Sequence, residues 1–162
     1  MKQSIKTGFS FGLASGTVTT LGLMVGLYAG THSKLAVMGG ILSIAIADAF
    51  SDALGIHISQ ESQNKYSVKE IWEATLSTLF SKLVFALTFI VPVLVFELSQ
   101  AILISVIWGF SILSIFSFVI AKQQKENPWK VVIEHLVICL MVILITHFVG
   151  NWILVNFGTS ID

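Results

Sequence analysis

The stretch Leu35–Ser59, LAVMGGILSIAIADAFSDALGIHIS, decides the fold. It exceeds the roughly 20 residues a helix needs to cross a bilayer, and its only formally charged side chains are Asp48 and Asp52. The two acids stand four residues apart, about one helical turn, and so share a face. They extend a stripe running Ala45, Asp48, Asp52, Gly55, Ser59 and Ser62. A carboxylate in hydrocarbon costs several kcal/mol, so a spanning helix keeps two of them for an ion or proton pathway, or pairs them with a cation.

Outward from this stretch the chain repeats the pattern. Four more apolar stretches occur: about Gly8 to Gly30, Glu73 to Leu98, Ser99 to Ala121 and Val131 to Leu154. The links are a tight turn (Thr31 to Lys34), a polar segment (Gln60 to Trp72), a short joint marked by Glu97, Ser99 and Gln100, and a loop (Lys122 to Lys130) that holds Pro128. Pro92 is expected to kink or loosen the third span. The fold class is therefore all-α: one polytopic transmembrane domain of five helices covering residues 1–162.

Composition agrees. Hydrophobic residues make up 55% of the chain and charged residues 11%, less than half the roughly 25% usual in a soluble domain. Mean hydropathy is +0.89. Formal net charge is zero and there is no arginine, which argues against a nucleic-acid partner, since phosphate tracking needs clustered basic charge. The single Cys139 lies in an apolar run and excludes a disulfide framework. The first apolar segment is expected to be a span rather than a cleaved leader.

Lysine placement sets the expected orientation. Lys2, Lys6, Lys65, Lys69, Lys122, Lys125 and Lys130 fall on one side of a five-span arrangement, and only Lys34 on the other. The positive-inside rule then puts the N-terminus in the cytoplasm and the C-terminus outside, with Trp72, Trp129 and Trp152 near span ends as interfacial aromatics. The expected location is the cell membrane of a prokaryote.

In span one, Gly8, Gly12, Ser15, Thr19, Gly22, Gly26 and Ala29 form a small-residue stripe. Such stripes let two backbones approach closely in lipid. Plain helix packing accounts for that, the functional reading is a helix that slides or tilts beside a pathway, and a homodimer packed through the first helix is the expected assembly. Ser15 and Thr19 lie at a depth similar to Asp52, so Asp48, Asp52, Ser15 and Thr19 are the candidate metal or proton site. Oxygen donors of this kind suit manganese or ferrous iron. Two neighbouring carboxylates titrate as a coupled pair, and an entering metal expels their protons, which is a basis for metal/proton exchange. Lys82 in span three is the candidate charge partner. The plain alternative is a buried Asp–Lys pair that only fixes helix packing.

His57, Glu61, Glu70 and Glu73 are candidate cytoplasmic entry residues. Against that, His57 points away from Asp48, and acids at the start of a helix suit its dipole without further purpose. Glu97, His147 and Asn151 are candidates for an outer exit, with an internally bonded polar pair as the competing reading. No nucleophile elbow, P-loop or zinc-protease motif is present, so no enzymatic activity is expected.

Span one, SGTVTTLGLMVGLYAG (Ser15 to Gly30), and span two, ADAFSDALGIHIS (Ala47 to Ser59), together with span five from Asn127 through Glu134 to Gly150, resemble the vacuolar iron transporter family, which includes the nodulin-21-like proteins. Span two looks like the family's Ala-Asp-Ala-x-Ser-Met-Gly-x-Gly-x-x-x-Ser signature. The resemblance implies a five-helix protomer, a homodimer with the ion path at its two-fold interface, and export of ferrous iron or manganese in exchange for protons. This sequence departs from the pattern at three places: Ser15 replaces an aspartate, Asp52 a methionine, and Ile44 an acid or amide. Loss of the thioether favours harder cations. The link Gln60 to Trp72 is too short for the Glu-rich cytosolic domain of the family's eukaryotic members. The departures also motivate an alternative: a non-transporting membrane binding or assembly subunit built on the same fold.

Overall fold

The computed structural model describes residues Lys2–Gly158. Six helical segments follow one another: α1 (Gln3–Thr31), α2 (Lys34–Ser62), α3 (Val68–Thr88), α4 (Ile90–Val95), α5 (Leu98–Gln124) and α6 (Pro128–Phe157). No strand occurs among the described residues. Segments α3 and α4 together form one apolar length, Val68–Val95, so five helices are long and apolar enough to cross a membrane. The all-helical, five-span expectation holds at that level.

The helices outrun the apolar stretches because local chemistry, not hydropathy, ends them. Span three begins at Val68, five residues before the expected Glu73, because Ser67 caps it. The Ser67 hydroxyl accepts from the Glu70 N–H while the Glu70 carboxylate accepts from the Ser67 N–H at 2.9 Å, a reciprocal capping box. The Asn127 side chain accepts from the Trp129 N–H at 3.1 Å and Pro128 takes the first helical position, so α6 starts at Pro128. Left-handed residues close other ends: His32 (φ 50°) after α1, Asn64 (φ 51°) after α2 and Lys125 (φ 60°) after α5.

Pro92 loosens span three as expected. It has no N–H for the carbonyl of Thr88, four residues back, and α3 stops at Thr88 before α4 resumes at Ile90. The joint between spans three and four lies at Phe96 and Glu97, and Ser99 and Gln100 belong to the first turn of α5. Glu97 is the N-cap residue of α5 but gives no side-chain cap.

The chain divides into two compact units. The first comprises Met1–Thr20 and Ile41–Ile90. Here the first half of α1 lies on α3 through glycines. A Cβ added at Gly8 would sit 2.2 Å from the Ala74 carbonyl oxygen, and one at Gly12 would sit 2.6 Å from that of Thr78. Ser77 donates across this contact to the Ile5 carbonyl at 2.8 Å, and Phe9 meets Phe85 edge to face at 5.9 Å between centroids. Ala45, Ala49 and Ala53 give α2 a narrow buried line. The stripe that continues from Asp48 and Asp52 through Gly55, Ser59 and Ser62 runs beside this line, and those last three residues are exposed.

The second unit comprises Leu21–Gly40 and Val91–Asp162. The second half of α1 lies on α6, again through glycine: a Cβ at Gly150 would sit 2.3 Å from the Gly26 carbonyl oxygen. Gly22 faces Val142, and Gly26 faces Thr146. Helix α5 packs on α6, and the Lys34 ammonium donates to the Phe96 carbonyl at 3.1 Å, beyond the end of α4.

The glycine stripe of span one is thus filled within the chain. Gly12 and Gly26 therefore follow the plain helix-packing reading of the stripe. Their faces meet Thr78 and Ser81 in one unit and Thr146 in the other, so the close approach that glycine permits is already taken by α3 and α6.

Candidate functional site

In the first unit, α1, α2 and α3 bring four polar side chains together. Lys82 on α3 is 1% exposed, although the residue carries a charge. Its ammonium lies 2.5 Å from Oδ2 of Asp48, makes an ion pair with Oδ2 of Asp52, and donates to the Ser15 hydroxyl at 2.9 Å. Ser15 in turn donates to Oδ2 of Asp52 at 2.7 Å. The one-turn spacing of Asp48 and Asp52 is what lets both reach a single nitrogen. The lysine stem crosses α1 at Gly16, where an added Cβ would meet Lys82 Cγ at 3.1 Å.

Formal charges leave the cluster at −1, two carboxylates against one ammonium. The carboxylates are not equivalent. Asp52 takes hydrogen bonds from both Lys82 and Ser15. Oδ2 of Asp48 is buried, and among the described residues the Lys82 ammonium at 2.5 Å is the one charged group that meets it. The side chains of Asp48 and Asp52 remain 26% and 20% exposed, so the cluster is not sealed from its α2 side.

Lys82 is the expected charge partner of Asp48 and Asp52. Thr19, grouped with them in the sequence reading, does not join the cluster in the structure. Its hydroxyl donates to the Ser15 carbonyl one turn back at 2.9 Å and braces α1 behind Ser15.

The proposed entry residues are not brought to one place. His57 Nδ1 lies 3.0 Å from the Thr75 hydroxyl, and its ring meets Trp72 edge to face at 4.8 Å. The Thr75 proton is already given to the Ile71 carbonyl at 2.8 Å, so Nδ1 is the donor to Thr75. Glu70 is occupied in the capping box, and Glu73 holds Lys2 at 2.6 Å and Ser4 at 2.7 Å, tying the start of α1 to α3. Glu61 is exposed. The bland readings of Glu70 and Glu73 therefore describe what these side chains do here.

In the second unit, Asn151 and His147 form a pair at 3.2 Å on α6, the internally bonded arrangement set against an exit role. Glu97 is exposed at the head of α5. Sequence reasoning missed the contact between Ser117 and His135 Nδ1, at 2.7 Å, which links α5 to α6. The two residues lie 18 positions apart on different helices, and no local spacing announces such a pair.

Among the described residues no group of three or more His, Cys, Asp or Glu side chains is placed to hold a metal ion. What the first unit offers is two carboxylates and a hydroxyl converging on one cationic position, with an ammonium in it. No protein-family model and no curated protein matches this chain.

Proposed function

We propose that the protein is a membrane transporter for a divalent transition metal, ferrous iron or manganese, which leaves the cytoplasm in exchange for protons through Asp48 and Asp52. One observation carries this reading: two carboxylates within a membrane-spanning length converge on a single cation position, backed by the Ser15 hydroxyl from the first helix. Oxygen donors of this kind suit a hard or borderline divalent ion. Its arrival would take protons or a cation off the carboxylates, which couples the two movements. The lysine distribution supports an N-terminus in the cytoplasm and a C-terminus outside.

A homodimer belongs to this reading, with α2 rather than the glycines of α1 as its contact. Ser43, Ala47, Ser51, Gly55 and Ser59 recur every four residues along α2 and are all exposed, and a Cβ at Gly55 would meet nothing within 4 Å. A second copy there would cover the open side of the two carboxylates.

The test is metal flux in proteoliposomes loaded with a pH dye. Manganese or ferrous iron moving against protons is the expected outcome, with flux lost in Asp52→Asn and Asp48→Asn proteins that still elute as the wild type does. Undiminished flux in both variants would remove the site. A second reading, a non-transporting assembly subunit, draws on the same cluster, because Lys82 already supplies the counter-charge the carboxylates need. No flux of any divalent ion through folded wild-type protein would select it.

A further inference from the structure

The cation position between Asp48 and Asp52 is occupied by part of the chain itself. We propose that Lys82 is a tethered competitor for the two carboxylates and sets the charge a substrate must carry, so that a divalent ion displaces the ammonium and a monovalent ion does not. The proposal rests on the transport reading of the same cluster.

Three observations carry it. First, the Lys82 ammonium is 1% exposed and touches every member of the cluster: Asp48, Asp52 and Ser15. A cation that enters must take those oxygens from it. Because the ammonium is held by its own stem, it competes at an effective concentration that does not fall when the protein is diluted.

Second, the charges do not balance. With Lys82 in place the cluster carries −1. A sodium or potassium ion replacing the ammonium leaves the same −1, gains nothing in net charge and displaces a buried ammonium from its partners. A divalent ion places two positive charges against the two carboxylates where the ammonium placed one. Only this exchange has an added Coulomb attraction to set against displacing the ammonium, which stays nearby on its stem.

Third, the cluster is open on the side of its carboxylates. The side chains of Asp48 and Asp52 remain 26% and 20% exposed while Lys82 is buried, so an arriving cation meets the oxygens before it meets the ammonium. A metal ion bound by several oxygens at once can take both carboxylates from there.

The experiment compares wild-type protein with Lys82→Met, which keeps the stem's bulk and removes the charge. Manganese chloride, then sodium chloride against a choline chloride control, are titrated into purified protein by calorimetry, and the melting temperature is followed in parallel. Lys82→Met is expected to bind manganese about tenfold more tightly or better, a difference of about 1.4 kcal/mol. It is also expected to gain a sodium-dependent rise in melting temperature that the wild type lacks. Unchanged or weaker manganese binding in Lys82→Met, with wild-type flux intact, overturns the competitor role and leaves the transport reading standing. Absence of manganese binding in both proteins overturns both. Should Lys82→Met not yield folded protein, Lys82→Arg supplies the opposite test. Its guanidinium forks onto carboxylates more strongly than an ammonium does, so manganese affinity should fall below that of the wild type. Equal or tighter binding in Lys82→Arg overturns the proposal.

Discussion

A lysine can sit deep in a membrane-spanning helix only if its ammonium ends on oxygen, and every short contact of Lys82 is of that kind. Ser15 decides how well the cluster holds. Its single hydroxyl accepts from Lys82 and donates to Asp52, so it closes a small ring of three polar groups from three helices. Ser15→Ala removes both bonds and leaves an ammonium and a carboxylate each one partner short. The expected cost is about 1–3 kcal/mol of stability, the range for a buried polar group left unsatisfied, read as a lower melting temperature in detergent. A melting temperature equal to the wild type's would mean that the hydroxyl is not part of what holds α1 to α2 and α3. The carboxylate pair was legible beforehand because helical periodicity is a local property of sequence: a four-residue interval places two side chains on one face whatever else the chain does. That Lys82 answers them was legible from electrostatics alone, since an unpaired charge there is too costly to keep. Periodicity could not reveal where the Thr19 hydroxyl goes, because a helical threonine can bond its own backbone one turn back, as Thr19 does to Ser15.

At the scale of the helices, glycine has two opposite environments in this chain. A Cβ at Gly8 would lie 2.2 Å from a backbone oxygen of α3, and one at Gly150 would lie 2.3 Å from a backbone oxygen of α1, whereas one at Gly39 or Gly55 on α2 would meet nothing within 4 Å. A clash with backbone is relieved only by moving a helix, so Gly8→Ala and Gly150→Ala should each destabilise the protein by about 1–3 kcal/mol. Gly39→Ala in the monomer should be neutral or gain up to about 1 kcal/mol, because alanine is the better helix former. Thermal melts of the three variants check this, and equal tolerance of Gly8→Ala and Gly39→Ala would refute the α1–α3 packing. The stripe of small residues in span one was visible in the sequence, but its partner was not. A stripe states that some backbone comes close and carries no information on whether that backbone belongs to α3, to α6 or to another copy. Helix ends differ from the apolar stretches by one to five residues for a related reason. Hydropathy reports where lipid can lie against a helix, while Ser67, Asn127 and Pro128 determine where the hydrogen-bonded ladder starts.

For the whole molecule the open question is what covers the exposed side of α2. Apolar side chains there, Phe50 at 63% and Leu54 at 58% exposure, are at ease in lipid and demand no partner. The small residues between them argue differently, because Ser51 and Gly55 leave a shallow track beside carboxylates that are still partly exposed. Lipid tails cannot satisfy those oxygens, and a second α2 laid along the track would shield them while bringing two backbones close. Cys139 is buried, so a cysteine placed elsewhere has little competition from it for a membrane-permeant cross-linker. Ser51→Cys and Gly55→Cys are therefore expected to give a covalent dimer in native membranes, and Gly12→Cys, whose site faces α3, to give none. Cross-linking at Gly12 with none at Ser51 or Gly55 would return the contact to the first helix and require α1 to leave α3. A second set of cysteine variants reports orientation. Cysteines beside Lys65 and Lys125 should both be protected from an impermeant reagent in intact cells, since the lysine-rich links lie on the cytoplasmic side in the proposed arrangement. A cysteine beside Lys34 should react. Labelling of the first two without the third would invert the protein in the membrane and turn the proposed export into uptake.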